Sequence, residues 1–233
     1  MENVDRRRFE IRHFLLDVEA VDHARSLLEE KEADFVIFGD LPEMYQLNVL
    51  RAKDCLSLGS VDIIDLPNIR KFFMISNLNR NYYVDFEEKK NAIIQARKVM
   101  KNLDIKKINT VLIASNSKNE VLEGNILKVL VKESKIGDVE VQGVYELSRF
   151  LSRESQFNIY NSGVNLLIMK NYEMTRVFIN TLRAFSKVRI ASLIVGRDCY
   201  AVDFSLYESK ENIYFTLIIL EKLFIKINKV CLG

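Results

Sequence analysis

Short runs of Val and Ile that are apolar at nearly every position recur along this chain, and most are followed by a helical pattern. A strand with one wet face alternates apolar and polar residues, whereas a strand apolar throughout must be covered on both faces. Parallel strands joined by helical crossovers meet that demand. The recurrence therefore predicts an α/β protein, a mostly parallel sheet between two helical layers, with right-handed connections.

The strand signals are 33–39, 61–67, 71–76, 109–115, 139–143, 164–169, 189–196 and 200–204, of which 61–67 and 71–76 lie close enough to pair as a hairpin. A helix is predicted after Pro42, near its first turn. Asp85 and Glu88 have capping-box spacing before a helix whose apolar face is Ile93, Ala96, Val99, Met100 and Leu103. Further helices are expected over Val121–Val131, around Tyr145–Leu151, and from about Glu173 to Lys187 with Val177, Leu182 and Phe185 buried. A last long helix starts after Ser209 and ends near Lys229; it is apolar on most sides. The segment 104–108 divides the chain into an N-terminal lobe (1–106), against which the C-terminal helix packs, and a C-terminal lobe (107–233).

Charge narrows the partners. With 34 basic and 32 acidic residues the net charge is +2, which gives no general field for nucleic acid or an anionic membrane. The Arg6-Arg7-Arg8 run sits beside Glu2, Asp5 and Glu10 and reads as a solvated segment. Cys55, Cys199 and Cys231 form no C-x-x-C pair, and only His13 and His23 are present, so no zinc spacing or histidine-based triad arises. Reduced thiols, no apolar leader and no stretch long enough to span a bilayer lead to the expectation of a cytoplasmic protein.

The fingerprints G-x-G-x-x-G, G-x-x-x-x-G-K-[ST] and G-x-S-x-G are absent from the sequence. Ligands of parallel sheets sit at the carboxyl ends of strands. That rule nominates Gly39-Asp40, Ser76 to Asn81, Ser115-Asn116-Ser117, Gly143, Asn171 to Glu173, and Phe204 to Asn212. Together they are expected to line a cleft of hydroxyls and amides with few charges; singly, each also suits a turn or a cap.

The order and spacing of these segments resemble the phosphate acetyl/butyryltransferase family, most closely its butyryltransferase branch, from about Ala20 to Leu223. The family's K-A-D-I-L-M-K-G strand resembles ADFVIFG. Its F-L-T-D-A-A-x-N segment resembles FFMISNLNRN, and Lys170–Leu223 is similar to its E-x-G-N helix, A-x-I-I-V-G strand and T-S-R-A-D-S loop. The resemblance implies two lobes with a cleft, as in isocitrate and isopropylmalate dehydrogenases. It also implies transfer of an acyl group between CoA and phosphate, no bound cofactor, coenzyme A thioester as substrate, and a homodimer.

Carried over position by position, the resemblance implies Ser205 and Glu211 in catalysis. It places Ser76, Asn77, Asn81, Gly143, Glu173, Arg176, Gly196 and Ser209 at the substrate. The motifs are eroded: Phe38 stands for a lysine, Leu206 for the loop arginine, Gln142 for an aspartate, Thr175-Arg176 for G-N, and Glu208 for the loop aspartate. The chain is also expected to be shortened, lacking the family's opening strand–helix–strand unit. Three readings follow: an acyltransferase, a non-catalytic relative that binds a ligand or partner, or a purely structural protein.

Overall fold

In the computed structural model a hairpin stands at the middle of one eight-stranded sheet. The structure describes residues 10–39, 41, 45, 59–78, 85–115, 117–134, 136–155, 158–195, 200–204 and 208–231. The strands are β1 (Phe35–Phe38), β2 (Gly59–Leu66), β3 (Lys71–Leu78), β4 (Ile108–Ile113), β5 (Val139–Tyr145), β6 (Leu166–Met169), β7 (Arg189–Val195) and β8 (Tyr200–Asp203). The helices are α1 (Asp17–Glu29), α2 (Phe86–Asn102), α3 (Lys118–Glu133), α4 (Leu147–Leu151), α5 (Tyr172–Phe185) and α6 (Lys210–Cys231). The predicted helix after Pro42 falls largely outside the described residues.

The sheet order is β1-β8-β7-β2-β3-β6-β4-β5. Strands β3, β6, β4 and β5 are mutually parallel, while β2 runs antiparallel to both β3 and β7, and β8 antiparallel to β7. The stretches 1–106 and 107–233 thus contribute strands in alternation to one sheet. A 3-10 turn at Pro67–Ile69 and Arg70 in the left-handed conformation close the hairpin.

Directly opposed residues of a ladder share a face, so the registers sort the core. One face packs under α2, α3 and α6, joining Val61, Ile63, Met74 and Leu193 to Ala96, Met100, Leu127, Leu220 and Leu223. The other is split. Phe150 of α4 and Phe178 and Ile179 of α5 cover Ile64, Ile75 and Leu167, whereas Val21 of α1 covers Phe38 and Ala201 beside Ile194.

The capping box at Asp85 forms as its spacing predicts, Asp85 accepting from the Glu88 N–H and Glu88 from the Asp85 N–H. In α5 the expected face is wrong in part. Phe178 and Ile179 are buried, while Val177 is 66% and Phe185 86% exposed. Apolar residues occupy several sides of this helix, and the winning stripe is the one that interdigitates with Ile75 and Ile190.

Two glycines are fixed by geometry. Gly143 has φ +138° where the β4–β5 register slips, a conformation side chains rarely adopt. A Cβ at Gly124 would meet the Val144 side chain, so glycine lets α3 approach β5.

The α5 assignment is checked by two truncations. Phe178→Ala should cost about 3–5 kcal/mol in urea unfolding, as for a buried aromatic. Phe185→Ala should stay within about 0.5 kcal/mol of the parent, as for a solvated position.

Candidate functional site

A charged residue in the middle of a both-faces-covered sheet needs a reason, because burying a carboxylate is costly unless it is partnered. Asp62 is such a residue, 5% exposed on β2. Its register partners are Ile75 on β3 and Ser192 on β7, so it lies on the α5 face. Ser192 donates its hydroxyl to Asp62 Oδ1 at 2.5 Å. Burial pushes the Asp62 pKa up, and the Ser192 hydrogen bond and the nearby Arg176 and Arg183 guanidiniums oppose that rise.

The surroundings of Asp62 form a furrow. On this face α1 covers one end of the sheet and α5 the other; Ser60, Ser192 and Ile194, on the central strands β2 and β7 between them, remain partly exposed. Arg176 and Arg183 stand two turns apart on α5, a spacing that places both on one helix face. Arg176 lies with its guanidinium 6.0 Å from the centre of the Tyr172 ring. Arg183 donates from Nη2 to Glu208 Oε2 at 3.2 Å, while its Nε is buried and has no partner among the described residues.

Glu208 also accepts from the Asn212 amide at 2.7 Å through Oε1, and Asn212 Oδ1 accepts from the Ile190 N–H. The loop before α6 is thereby tied to α5 and to the start of β7. Among the described residues, two guanidiniums and two carboxylates lie in this region.

Antiparallel strands also divide the nominated segments. β1 and β8 end on the opposite edge of the sheet from β3, β4, β5, β6 and β7, so the loops after them do not all meet in one cleft. Ser76 is fully buried on the α2 face, donating to the Ala92 carbonyl at 2.9 Å. Gly143 is on the edge strand β5, five strands from β7, or about 24 Å at the usual strand spacing. Glu173 is exposed in the first turn of α5, and Glu211 in that of α6.

Ser209 caps α6 by accepting from the Asn212 N–H at 3.1 Å, adjacent to Glu208. Of the nominated residues, Arg176, Glu208, Ser209 and Asn212 therefore border the furrow cluster. Asn77 has its backbone in β3 with its side chain outside the described atoms, and Asn81, Gly196, Ser205, Leu206 and Cys199 lie outside the described residues.

Sequence reading missed Asp62, Ser192 and Arg183. The available signal was a lone carboxylate inside the otherwise apolar VDII run, matched by a lone serine inside IASLIV.

A second polar cluster occupies the carboxyl ends of β4 and β6. Glu120 Oε2 accepts from Ser115 and Ser117, and Oε1 accepts from Lys170 at 2.9 Å. The Ser115 hydrogen bond, then that of Lys170, draw the Glu120 pKa down to about 2. Lys89, nearly buried, pairs with Glu123 beside it. These groups satisfy one another and lock α2 and α3 onto the sheet. No cluster able to hold a metal ion occurs among the described residues, nor any helix long and apolar enough to cross a membrane.

The fold is shared with known enzymes. A branched-chain phosphotransacylase from Enterococcus faecalis V583 superposes with a TM-score of 0.76 at 18% identity, over 96% of this chain and 86% of that one. The EutD phosphotransacetylase from Staphylococcus aureus gives 0.68 at 10% identity, over 87% and 66%. The 4-hydroxythreonine-4-phosphate dehydrogenase from Klebsiella pneumoniae gives 0.58 at 8% identity, over 88% and 69%. No family model and no curated protein matches the sequence. The chain thus has the α/β architecture of phosphotransacylases and of these dehydrogenases.

The two buried carboxylates should respond oppositely to pH. Asp62 has a folded-state pKa above its unfolded value, so the native state holds the extra proton between the two, and stability falls as pH rises from 3.8 through the folded value. Chemical denaturation at a series of pH values above 3.8 should show that fall in the parent chain and its loss in Asp62→Asn. Glu120 contributes stability that is full above 4.5 and is lost as pH falls through about 2. Glu120→Gln should cost about 1–3 kcal/mol near neutrality, since it weakens bonds within a satisfied cluster.

Proposed function

We propose that the chain is a phosphate acyltransferase-like protein that binds an acyl-CoA and inorganic phosphate at the Asp62–Arg183 furrow, releasing acyl phosphate and CoA on turnover. The observation that carries this reading is Arg183, whose buried Nε–H has no acceptor among the described residues while Nη2 is held by Glu208. A guanidinium presents donors in a fork that matches phosphate, and a buried donor left unsatisfied favours a ligand that supplies an acceptor. The shared architecture with phosphotransacylases supports the same reading.

In this reading Arg176 and Arg183 replace the cation absent at Leu206. A phosphate oxygen attacks the thioester carbonyl, the tetrahedral oxyanion is stabilised by positive charge, and the CoA thiolate leaves. Glu208 occupies the acidic position of the T-S-R-A-D-S-type loop and orients Arg183. Ser205 and Glu211 keep the catalytic assignments that the resemblance implies, with Asn77, Asn81, Glu173, Gly196 and Ser209 proposed at the substrate; Ser76, buried on the α2 face, and Gly143, on the far edge strand, are not part of the furrow. The protein is proposed to act in the cytoplasm as a homodimer. Leu206 in place of the loop arginine favours a second reading, a relative that binds the ligand without turnover.

Butyryl-CoA or acetyl-CoA with phosphate should release free thiol. Arg183→Gln should lower kcat/KM by about tenfold or more, as expected for one charge-assisted hydrogen bond of about 1.5–3 kcal/mol. A CoA-dependent melting shift without thiol release would select the binding reading. Neither shift nor release would overturn both.

A further inference from the structure

A cavity of about 410 Å³, open to solvent, is lined among the described residues by Ile69, Arg153, Asn158, Tyr160 and Asn161. Ile69 belongs to the turn between β2 and β3, and the other four to the loop between α4 and β6. Since β6 runs parallel to β3, the cavity lies at the edge where both strands begin. The segments nominated after β3, β4 and β6 lie at the opposite edge. A cavity of this size suits a small molecule, which a few well-placed polar groups are enough to orient.

Asn158 frames the cavity. It is 1% exposed, and its amide bonds only to its own loop. Its Nδ2 donates to the Arg153 and Ser155 carbonyls at 3.0 and 2.6 Å, and its Oδ1 accepts from the Tyr160 and Asn161 N–H groups, both at 2.9 Å. The neighbouring Ile159 is seated in the core. The backbones of Arg153, Tyr160 and Asn161 are thus fixed before a ligand arrives, which lowers the ordering cost of binding. The Arg153 guanidinium lies over the Tyr160 ring, 5.4 Å from its centre, and has no ion-pair partner among the described residues. A ring attracts the cation without supplying a carboxylate, so the planar fork of N–H donors is left for an anion.

We propose that this cavity binds a small monocarboxylate with an apolar body, its carboxylate held by Arg153 and its body lying against Ile69 and the Tyr160 ring. A guanidinium receives the two coplanar oxygens of a carboxylate through parallel N–H bonds. The single cation among the described lining residues matches one negative charge, whereas a phosphate dianion would remain half-neutralised beside apolar walls. Asn161 adds an amide at the rim that can donate to a carboxylate oxygen. The site is separate from the Asp62–Arg183 furrow and does not depend on the furrow's function.

Benzoate, ionised at neutral pH, is the probe, with benzamide as its uncharged counterpart and inorganic phosphate as an anion without an apolar body. Isothermal titration of the full chain should show saturable benzoate binding and affinities at least about tenfold weaker for benzamide and phosphate, the loss expected for one charge-assisted pair or its apolar complement. Arg153→Gln should weaken benzoate by about tenfold or more, and Arg183→Gln should leave it unchanged. In the unaltered chain the benzoate ring current should move the Ile69 methyl resonances, a readout that does not depend on a variant folding.

No saturable benzoate binding, unmoved Ile69 methyls, benzoate affinity kept by folded Arg153→Gln, or phosphate bound as tightly as benzoate would each overturn the proposal. Loss of benzoate binding in Arg183→Gln with Arg153→Gln unaffected would place the anion in the furrow and overturn it as well. None of these outcomes removes the support for the proposed function.

Discussion

The β2–β3 hairpin holds the sheet together. Its backbone ladders run to β7 on one side and to β6 on the other, so the parallel block β6-β4-β5 and the block β7-β8-β1 are one sheet only through it. Every residue of β2 from Val61 to Ile64 is buried, which leaves no room for a polar group without a partner. Asp62 occupies one of those positions. The same strand that joins the two blocks therefore supplies a carboxylate whose burial disfavours its charge.

Helix α5 is the second half of that arrangement. As the crossover from β6 to β7 it passes over β3 and β2, and its stripe of Phe178 and Ile179 anchors it on Ile75 and Ile64. Once that stripe is seated, Arg176 and Arg183 lie on the Asp62 face of the sheet, and Glu208 and Asn212 bind the start of the next helix to the helix end. Hydrophobic burial positions the helix and electrostatics uses the position.

The contrast with the Glu120 cluster is instructive. Both centres bury a carboxylate beside a hydroxyl and a cation. At Glu120 two hydroxyls and Lys170 use both carboxylate oxygens, the charged form is favoured, and nothing is left over. At Asp62 burial dominates, and the Arg183 Nε has no partner among the described residues. Satisfied polar groups hold structure; unspent ones are open to a ligand.

Strand and helix positions were largely legible from the sequence, because apolar runs and capping spacing are local signals: β7 and its neighbour β8, the β2–β3 pair and the Asp85 capping box all form where their residues indicate. Which side of α5 is buried was not legible, since apolar residues on several sides offer more than one stripe and only the partner surface selects among them. Nor was the meeting of Ser192 with Asp62, a pair separated by more than a hundred residues. The sequence determined that the strands must be covered on both faces. Strand order and direction, which nonlocal ladders decide, determined which loops share an edge and which charges share a furrow.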